Sequence, residues 1–179
     1  MPVMSARLVR PQRRRARAST AQAILFALLA VACYRPALAE DQPTAAMIEP
    51  VRTLASFMAG LPGGRLPTMF ASSGVTIIEN YPPFIFSGRN AVKRWEAGFR
   101  AHAAEGQLTE LVANFGPAQD FKVIGTRAYF VLPTTWTGRT AGKRFEESGA
   151  WSFVLVRADS GWRVLGYGWG VTAYTEHPR

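Results

Sequence analysis

The chain has 179 residues, which suits a single domain, and a formal net charge of +9. Residues 1–39 hold seven of the 21 basic side chains and no acidic one, so the rest of the chain carries 14 basic against 12 acidic residues, a net of +2. This division argues against a nucleic-acid-binding protein, because the basic charge is concentrated in the leader.

The first 39 residues have the pattern of a secretory signal. An arginine-rich start precedes an apolar run, Ala23–Tyr34, and a small-x-small site, Ala37–Ala39. The run is shorter than the roughly 20 residues that cross a bilayer. We predict cleavage after Ala39 and a periplasmic or secreted mature chain, residues 40–179. The only cysteine, Cys33, ends a weak lipoprotein-like box, so lipid attachment there is the alternative, and the arginine triplet leaves twin-arginine export open.

The mature chain begins with a helical pattern. Apolar residues recur at offsets 0, 4, 7 and 11, at Met47, Val51, Leu54 and Met58. Because proline is tolerated only in the first helical turn, Pro50 predicts a regular helix that starts near Ile48. Gly60 ends it, and Leu66–Phe70 is a candidate for a further helical turn.

The central stretch predicts two short strands and a second helix. The strands are Val75–Glu79 and Phe84–Phe86, separated by a turn at Tyr81-Pro82-Pro83. The apolar face of the helix recurs at offsets 0, 3, 7, 10 and 11, at Val92, Trp95, Phe99, His102 and Ala103. Asn90 is the predicted side-chain N-cap, and Gly106 ends the helix.

The remainder of the chain predicts a meander of strands. These are Leu108–Asn114, Phe121–Ile124, Arg127–Thr137, Phe145–Arg157 and Trp162–Tyr174. A hairpin loop at Gly138–Gly142 joins the third and fourth of these strands. Helices followed by an antiparallel half define an α+β layout.

Five features carry a family resemblance. The helix with Trp95 and Phe99 and the segments TIIENYPPFIFSG, GAWSFVLVR, ADSGWRV and GYGWG resemble the nuclear transport factor 2-like superfamily, and within it the SnoaL-like domains. The resemblance spans nearly all of residues 45–174. It implies a cone-shaped α+β roll, in which a curved antiparallel sheet wraps around helices and leaves an open-ended pocket. Members include isomerases, cyclases, dehydratases, hydrolases and proteins without known catalysis, so the fold alone does not give the function.

A comparison with the ketosteroid isomerases of this superfamily singles out Glu79. It stands where the resemblance places their general-base aspartate. The two groups that hold the enolate oxygen in those enzymes have no counterpart, because residues 45–60 contain no tyrosine and the late-strand position falls near Ser152 or Phe153. Steroid isomerisation is therefore not predicted.

Two side chains are candidates for proton transfer. Glu79 is the candidate general base, with a pKa raised by aromatic walls; the alternative is a solvated carboxylate or a partner of Arg89 or Lys93. His102 is the weaker candidate, since it lies on the apolar side of its helix; the alternative is a helix-end histidine without a catalytic role. No second histidine or cysteine stands at metal-ligand spacing, and no phosphate-binding loop is present, so we predict neither a metal nor a cofactor.

Aromatic residues and one further carboxylate are the candidate ligand-binding residues. Glu147 is included because it shares a strand face with Trp151 and Phe153. The full set is Tyr81, Trp95, Phe99, Trp136, Glu147, Trp151 and Trp169. The alternative for the rings is ordinary core packing.

These observations predict an exported protein that binds a small apolar ligand in an aromatic-lined pocket. The first alternative is a cofactor-independent isomerase, cyclase or hydrolase that uses Glu79 as its base. The second is a dimeric protein-interaction module. We expect a homodimer, no nucleic-acid partner, and no membrane association of the mature form unless Cys33 is lipidated.

Overall fold

The computed structural model describes residues 42–61 and 63–178. The predicted leader, its cleavage site and Cys33 lie outside them. The described elements are two helices and seven strands. In chain order they are α1 (Ala45–Ala59), β1 (Thr76–Ile78), β2 (Ile85–Phe86), α2 (Ala91–Glu105), β3 (Thr109–Phe115), β4 (Gln119–Ile124), β5 (Arg127–Thr140), β6 (Lys143–Ala158) and β7 (Gly161–His177). Neither described helix is long and apolar enough to cross a membrane.

Helix α1 begins three residues before the predicted Ile48 and contains Pro50 in its second turn. The proline cannot donate a backbone hydrogen bond, but it lies on the buried face beside Val51, and this packing compensates. The predicted helical turn at Leu66–Phe70 is not formed. Instead Phe70 makes a parallel bridge with Val164, whose amide and carbonyl bind the backbone on either side of Phe70.

The predicted α+β class is confirmed, with one correction to the sheet. The strand order is β2-β1-β7-β6-β5-β3, and β4 also pairs with β5. All pairings are antiparallel except that of β1 with β7, so the sheet is mixed. This parallel pairing places the end of β1, and therefore Glu79, beside the middle of the aromatic strand β7.

Strands β5 and β6 meet at a tighter turn than predicted. Ala141 and Gly142 both have positive φ, 47° and 79°, as a two-residue turn of the I′ type requires. Gly138 belongs to β5 instead of the loop. A Cβ there would lie 2.9 Å from the Leu111 side chain and from the Thr109 carbonyl oxygen, so a glycine allows β3 to approach β5.

Helix α2 confirms the predicted apolar face but not the predicted cap. Asn90 precedes the helix in the left-handed region, at φ 61°, and its side chain makes no capping hydrogen bond. Its backbone carbonyl accepts the Arg94 amide instead, at 3.0 Å. Trp95 and Phe99 on the inner face are buried and pack their rings in parallel, 5.9 Å apart.

Candidate functional site

The candidate site is a cavity of about 210 Å³ between the helices and the inner face of the sheet. Its walls come from α1, from the segment after β1, from α2 and from the long strands. Most of the lining is apolar or aromatic. The aromatic members are Tyr81, Phe99, Trp136, Phe145, Trp151, Trp169 and Tyr174.

Glu79 lies on the cavity wall directly after β1, and its side chain is only 5% exposed. Its Oε1 accepts a hydrogen bond from Trp95 Nε1 at 2.8 Å and another from the Tyr167 hydroxyl. Its Oε2 accepts none from the described residues. The carboxyl group is therefore almost fully buried, is held through one oxygen, and makes no ion pair within the described residues.

The pKa of Glu79 is raised from its ordinary value of 4.5 to about 7. Burial is the largest cause, because it penalises the charged form. The hydrogen bonds from Tyr167 and Trp95 lower the pKa, and the nearby Glu147 raises it slightly further. A carboxyl group in this range can accept and return a proton near neutral pH.

Tyr81 and His102 lie side by side on the same wall. Their rings stack with centroids 4.6 Å apart. The Tyr81 hydroxyl is buried and has no hydrogen-bond partner among the described residues. Burial raises the pKa of Tyr81 above its usual 10, so the hydroxyl keeps its proton and remains a donor. Burial also lowers the pKa of His102, which favours the neutral imidazole.

A second carboxyl group, Glu147, lies on the same cavity, in the first third of β6. Its Oε1 accepts a hydrogen bond from Trp169 Nε1 at 2.9 Å, and its Oε2 accepts none from the described residues. It is half-buried, and this burial raises its pKa above the ordinary value of 4.5. Nearby, the buried Trp151 Nε1 lacks a partner within the described residues.

The structure brings together all but one of the predicted site residues. Eight lie on the cavity wall: Glu79, Tyr81, Phe99, His102, Trp136, Glu147, Trp151 and Trp169. Trp95 does not. It is 0% exposed and its Nε1 donates to Oε1 of Glu79, so it holds the carboxyl group in place, and its predicted contact with a ligand stays a prediction. Whether the eight residues act on a ligand stays a prediction.

Sequence reasoning missed Tyr167, which donates to Glu79 from β7. The two residues are 88 positions apart, and they meet because Ile77 of β1 is the parallel partner of Tyr167. One signal was available, since Tyr167 alternates with Trp169 and must therefore share its face. The parallel pairing that brings this face to Glu79 was not visible in the sequence. No group of three or more potential metal-binding side chains occurs within residues 42–61 and 63–178.

An open, curved, mixed sheet that encloses a cavity against two helices defines the nuclear transport factor 2-like fold, and the chain has this fold. It is similar to a nuclear transport factor 2-like superfamily protein from Salmonella enterica, with a TM-score of 0.55, 15% identity, and coverage of 70% of this chain and 87% of that one.

Two further solved structures have the same fold. A protein from Kribbella flavida aligns with a TM-score of 0.59 at 17% identity, and the alignment covers 73% of this chain and 91% of the Kribbella chain. A hexachlorocyclohexane dehydrochlorinase from Novosphingobium barchaimii gives a TM-score of 0.60 at 8% identity, covering 74% and 88%. No protein-family model matches the sequence, and no curated protein matches it either. At these identities the similarity establishes the fold alone.

Proposed function

We propose that the protein binds a small, mainly apolar molecule and that Glu79 transfers a proton to and from a carbon atom of that molecule. The observation that carries this proposal is the buried Glu79 carboxyl at the cavity, with Oε1 held by two donors and Oε2 free. Two fixed donors orient the group, and this preorganisation is what a general base needs. The dehydrochlorinase, which has the same fold, supports the view that the fold can accommodate an enzyme.

The reaction is that of a cofactor-independent isomerase. Oε2 of Glu79 takes a proton from a carbon beside a carbonyl group, and the electron pair of the broken C–H bond moves to the carbonyl oxygen. The Tyr81 hydroxyl, which lacks a partner in the described chain, donates a hydrogen bond to that oxygen. Glu79 then returns the proton to the original carbon or to another carbon, so it ends ionised as it began.

Replacing Glu79 with glutamine is expected to lower proton exchange by about 10²- to 10⁴-fold, the usual contribution of a general base. The measurement is deuterium incorporation into a panel of small apolar ketones in D₂O, followed by NMR. In the wild type the rate is expected to rise with pH and level off above about 7, because only the ionised base accepts a proton.

Glu146→Gln is the matched control, because Glu146 is the exposed neighbour of Glu147 and lies off the cavity. It is expected to exchange at the wild-type rate. Ketones that bind to the wild type but exchange at the same rate in wild type, E79Q and buffer would refute the base and leave a binding protein, which is the second candidate function. The aromatic lining of the cavity supports that second candidate on its own.

We also propose a homodimer that forms through the outer face of the sheet. Three apolar side chains on this face are exposed: Ile78 by 48%, Ile85 by 57% and Val154 by 36%. The strand register places them together, opposite the buried face. Val154→Asp is expected to shift the mass in solution from dimer to monomer, measured by light scattering. Val123→Asp, an exposed position outside this face, is the control; a Val154→Asp protein with unchanged mass would contradict the interface.

Export, with cleavage after Ala39, stays a prediction from the leader. It concerns residues outside the described ones.

A further inference from the structure

The cavity has an unbalanced set of charges. Its wall, as formed by the described residues, carries two carboxyl groups, Glu79 and Glu147, and neither a lysine nor an arginine. The one imidazole, His102, is held towards its neutral form by burial. An anionic ligand would therefore meet only like or neutral groups, whereas a cation would find partners.

Aromatic side chains flank the second carboxyl group, Glu147. In the sheet register Trp136 of β5 and Tyr174 of β7 lie directly opposite Glu147, one on each side. Trp169 binds Oε1 of Glu147 through its indole N–H. All four side chains line the cavity. We call the three rings, Trp136, Trp169 and Tyr174, the aromatic collar.

A carboxyl group bordered by aromatic side chains is a combination that recognises organic ammonium groups. The π-face of an indole or phenol is negative and attracts a cation, most strongly where the cation has left water. Oε2 of Glu147 is free of protein hydrogen bonds in the described chain and can face the charge directly. The buried, unpaired indole N–H of Trp151 and hydroxyl of Tyr81 are independent signs that the cavity is built for a ligand with polar groups.

We propose that Glu147 and the aromatic collar bind the cationic end of a small organic ammonium ligand, whose other end reaches Glu79. The inference rests on the proposed function in one respect only: it takes this cavity to be the ligand site. A bound cation would also favour the ionised form of Glu79 and so make the base available when the ligand is present.

The test compares three probes of one shape and different charge. Choline is cationic, 3,3-dimethylbutan-1-ol is its uncharged carbon isostere, and 3,3-dimethylbutanoate is the anion. Dissociation constants for the full-length protein come from NMR titration. Choline is expected to bind roughly ten-fold more tightly than the alcohol, a typical gain for a cation over an aromatic face, and the anion is expected to bind most weakly.

Glu147→Gln is expected to reduce the preference for choline over the alcohol to within about two-fold, since the amide keeps an acceptor for Trp169 but has no charge. Glu146→Gln is expected to keep the preference, and circular dichroism checks that both variants fold. Trp136→Leu, which removes one ring of the collar and no charge, is expected to weaken choline more than the alcohol.

Three results would overturn the proposal: no binding of choline, equal or tighter binding of the alcohol, or a preference that survives in E147Q. Glu79→Gln separates this inference from the proposed function. It is expected to lower proton exchange by about the same 10²- to 10⁴-fold, while choline still binds more tightly than the alcohol, by a smaller factor than in the wild type because the charge of Glu79 is gone. A choline preference without any exchange in the wild type would refute the base and leave the cation site standing.

Discussion

Glu79→Gln is expected to make the folded protein more stable at about pH 8 by about 3 kcal/mol, even though it removes the proposed base. The glutamine amide has the size of the carboxyl group, and its oxygen can accept the same two hydrogen bonds from Trp95 and Tyr167. What it lacks is the charge, which the buried site disfavours. The variant therefore isolates the cost of ionising one buried carboxyl group.

The direction of the pH dependence follows from the raised pKa. Between the ordinary value of 4.5 and about 7, the folded protein holds a proton on Glu79 that the unfolded chain has released. The contribution of Glu79 to the free energy of unfolding therefore falls as the pH rises through this window. The difference between E79Q and wild type is expected to be near zero at about pH 4 and to reach its full size above about pH 7.

Urea unfolding of both proteins at intervals between about pH 4 and 8 measures this difference. Because the other titrating groups are common to both, their contributions cancel to first order. Glu146→Gln is the control at an exposed carboxylate and should follow the wild-type curve. If the stabilities of E79Q and wild type stayed parallel across the window, Glu79 would not titrate near neutrality and the argument for the base would fail.

This expected gain in stability bears on function. A side chain whose replacement stabilises the fold does not contribute to folding in its ionised form, as is common where activity and stability trade off. Two donors, the Trp95 indole N–H and the Tyr167 hydroxyl, reduce the free-energy cost of the charge on Glu79 without abolishing it. The arrangement leaves the carboxyl group able to exist in both protonation states, as proton transfer requires.

The elements of the fold could be predicted from local patterns. The face of α2 and the long strands were visible in their 3.6- and 2-residue periods, and these periods report burial directly. The helix start predicted from Pro50 was wrong because a single proline can be accommodated where the rest of a helix face is buried. The side-chain cap predicted at Asn90 was wrong because the backbone of Asn90 lies in the left-handed region and its side chain makes no capping hydrogen bond.

The site could be predicted only in part, for a physical reason. Alternation along a strand assigned Glu147 to the face of Trp151, and both line the cavity. The two hydrogen bonds that orient the Glu79 carboxyl group come from residues distant in sequence. Trp95 is 16 positions away and Tyr167 is 88 positions away. The contact with Tyr167 depends on the parallel pairing of β1 with β7, and no local period encodes the pairing of distant strands.

Gly149→Ala is expected to destabilise the protein by about 3 kcal/mol or more, at the upper end of the usual cost of overpacking. Gly149 lies on β6 at a register shift, where the neighbouring strand approaches closely. A Cβ at this position would overlap the carbonyl oxygen of Gly170 and lie 2.7 Å from Cη2 of Trp169. The first obstacle is backbone, which cannot move without disturbing the pairing of β6 with β7, and the second is a large ring.

Gly170→Ala is the matched control for this substitution. It adds the same methyl group on the adjacent strand, where no atom lies within 4 Å, and it should leave the urea midpoint close to that of the wild type. A Gly149→Ala protein as stable as Gly170→Ala would show that β7 does not lie as close to β6 as described.

The same substitution tests how the sheet supports the cavity. The missing Cβ at Gly149 is what allows the Trp169 ring to lie against β6, and from there its indole N–H reaches Glu147. If the Gly149→Ala protein still folds, its Trp169 ring must move away, and the bond to Glu147 should be lost. Binding of choline should then weaken in Gly149→Ala and not in Gly170→Ala. Gly149 would thus link the packing of β6 against β7 to the position of the Glu147 carboxyl group in the cavity.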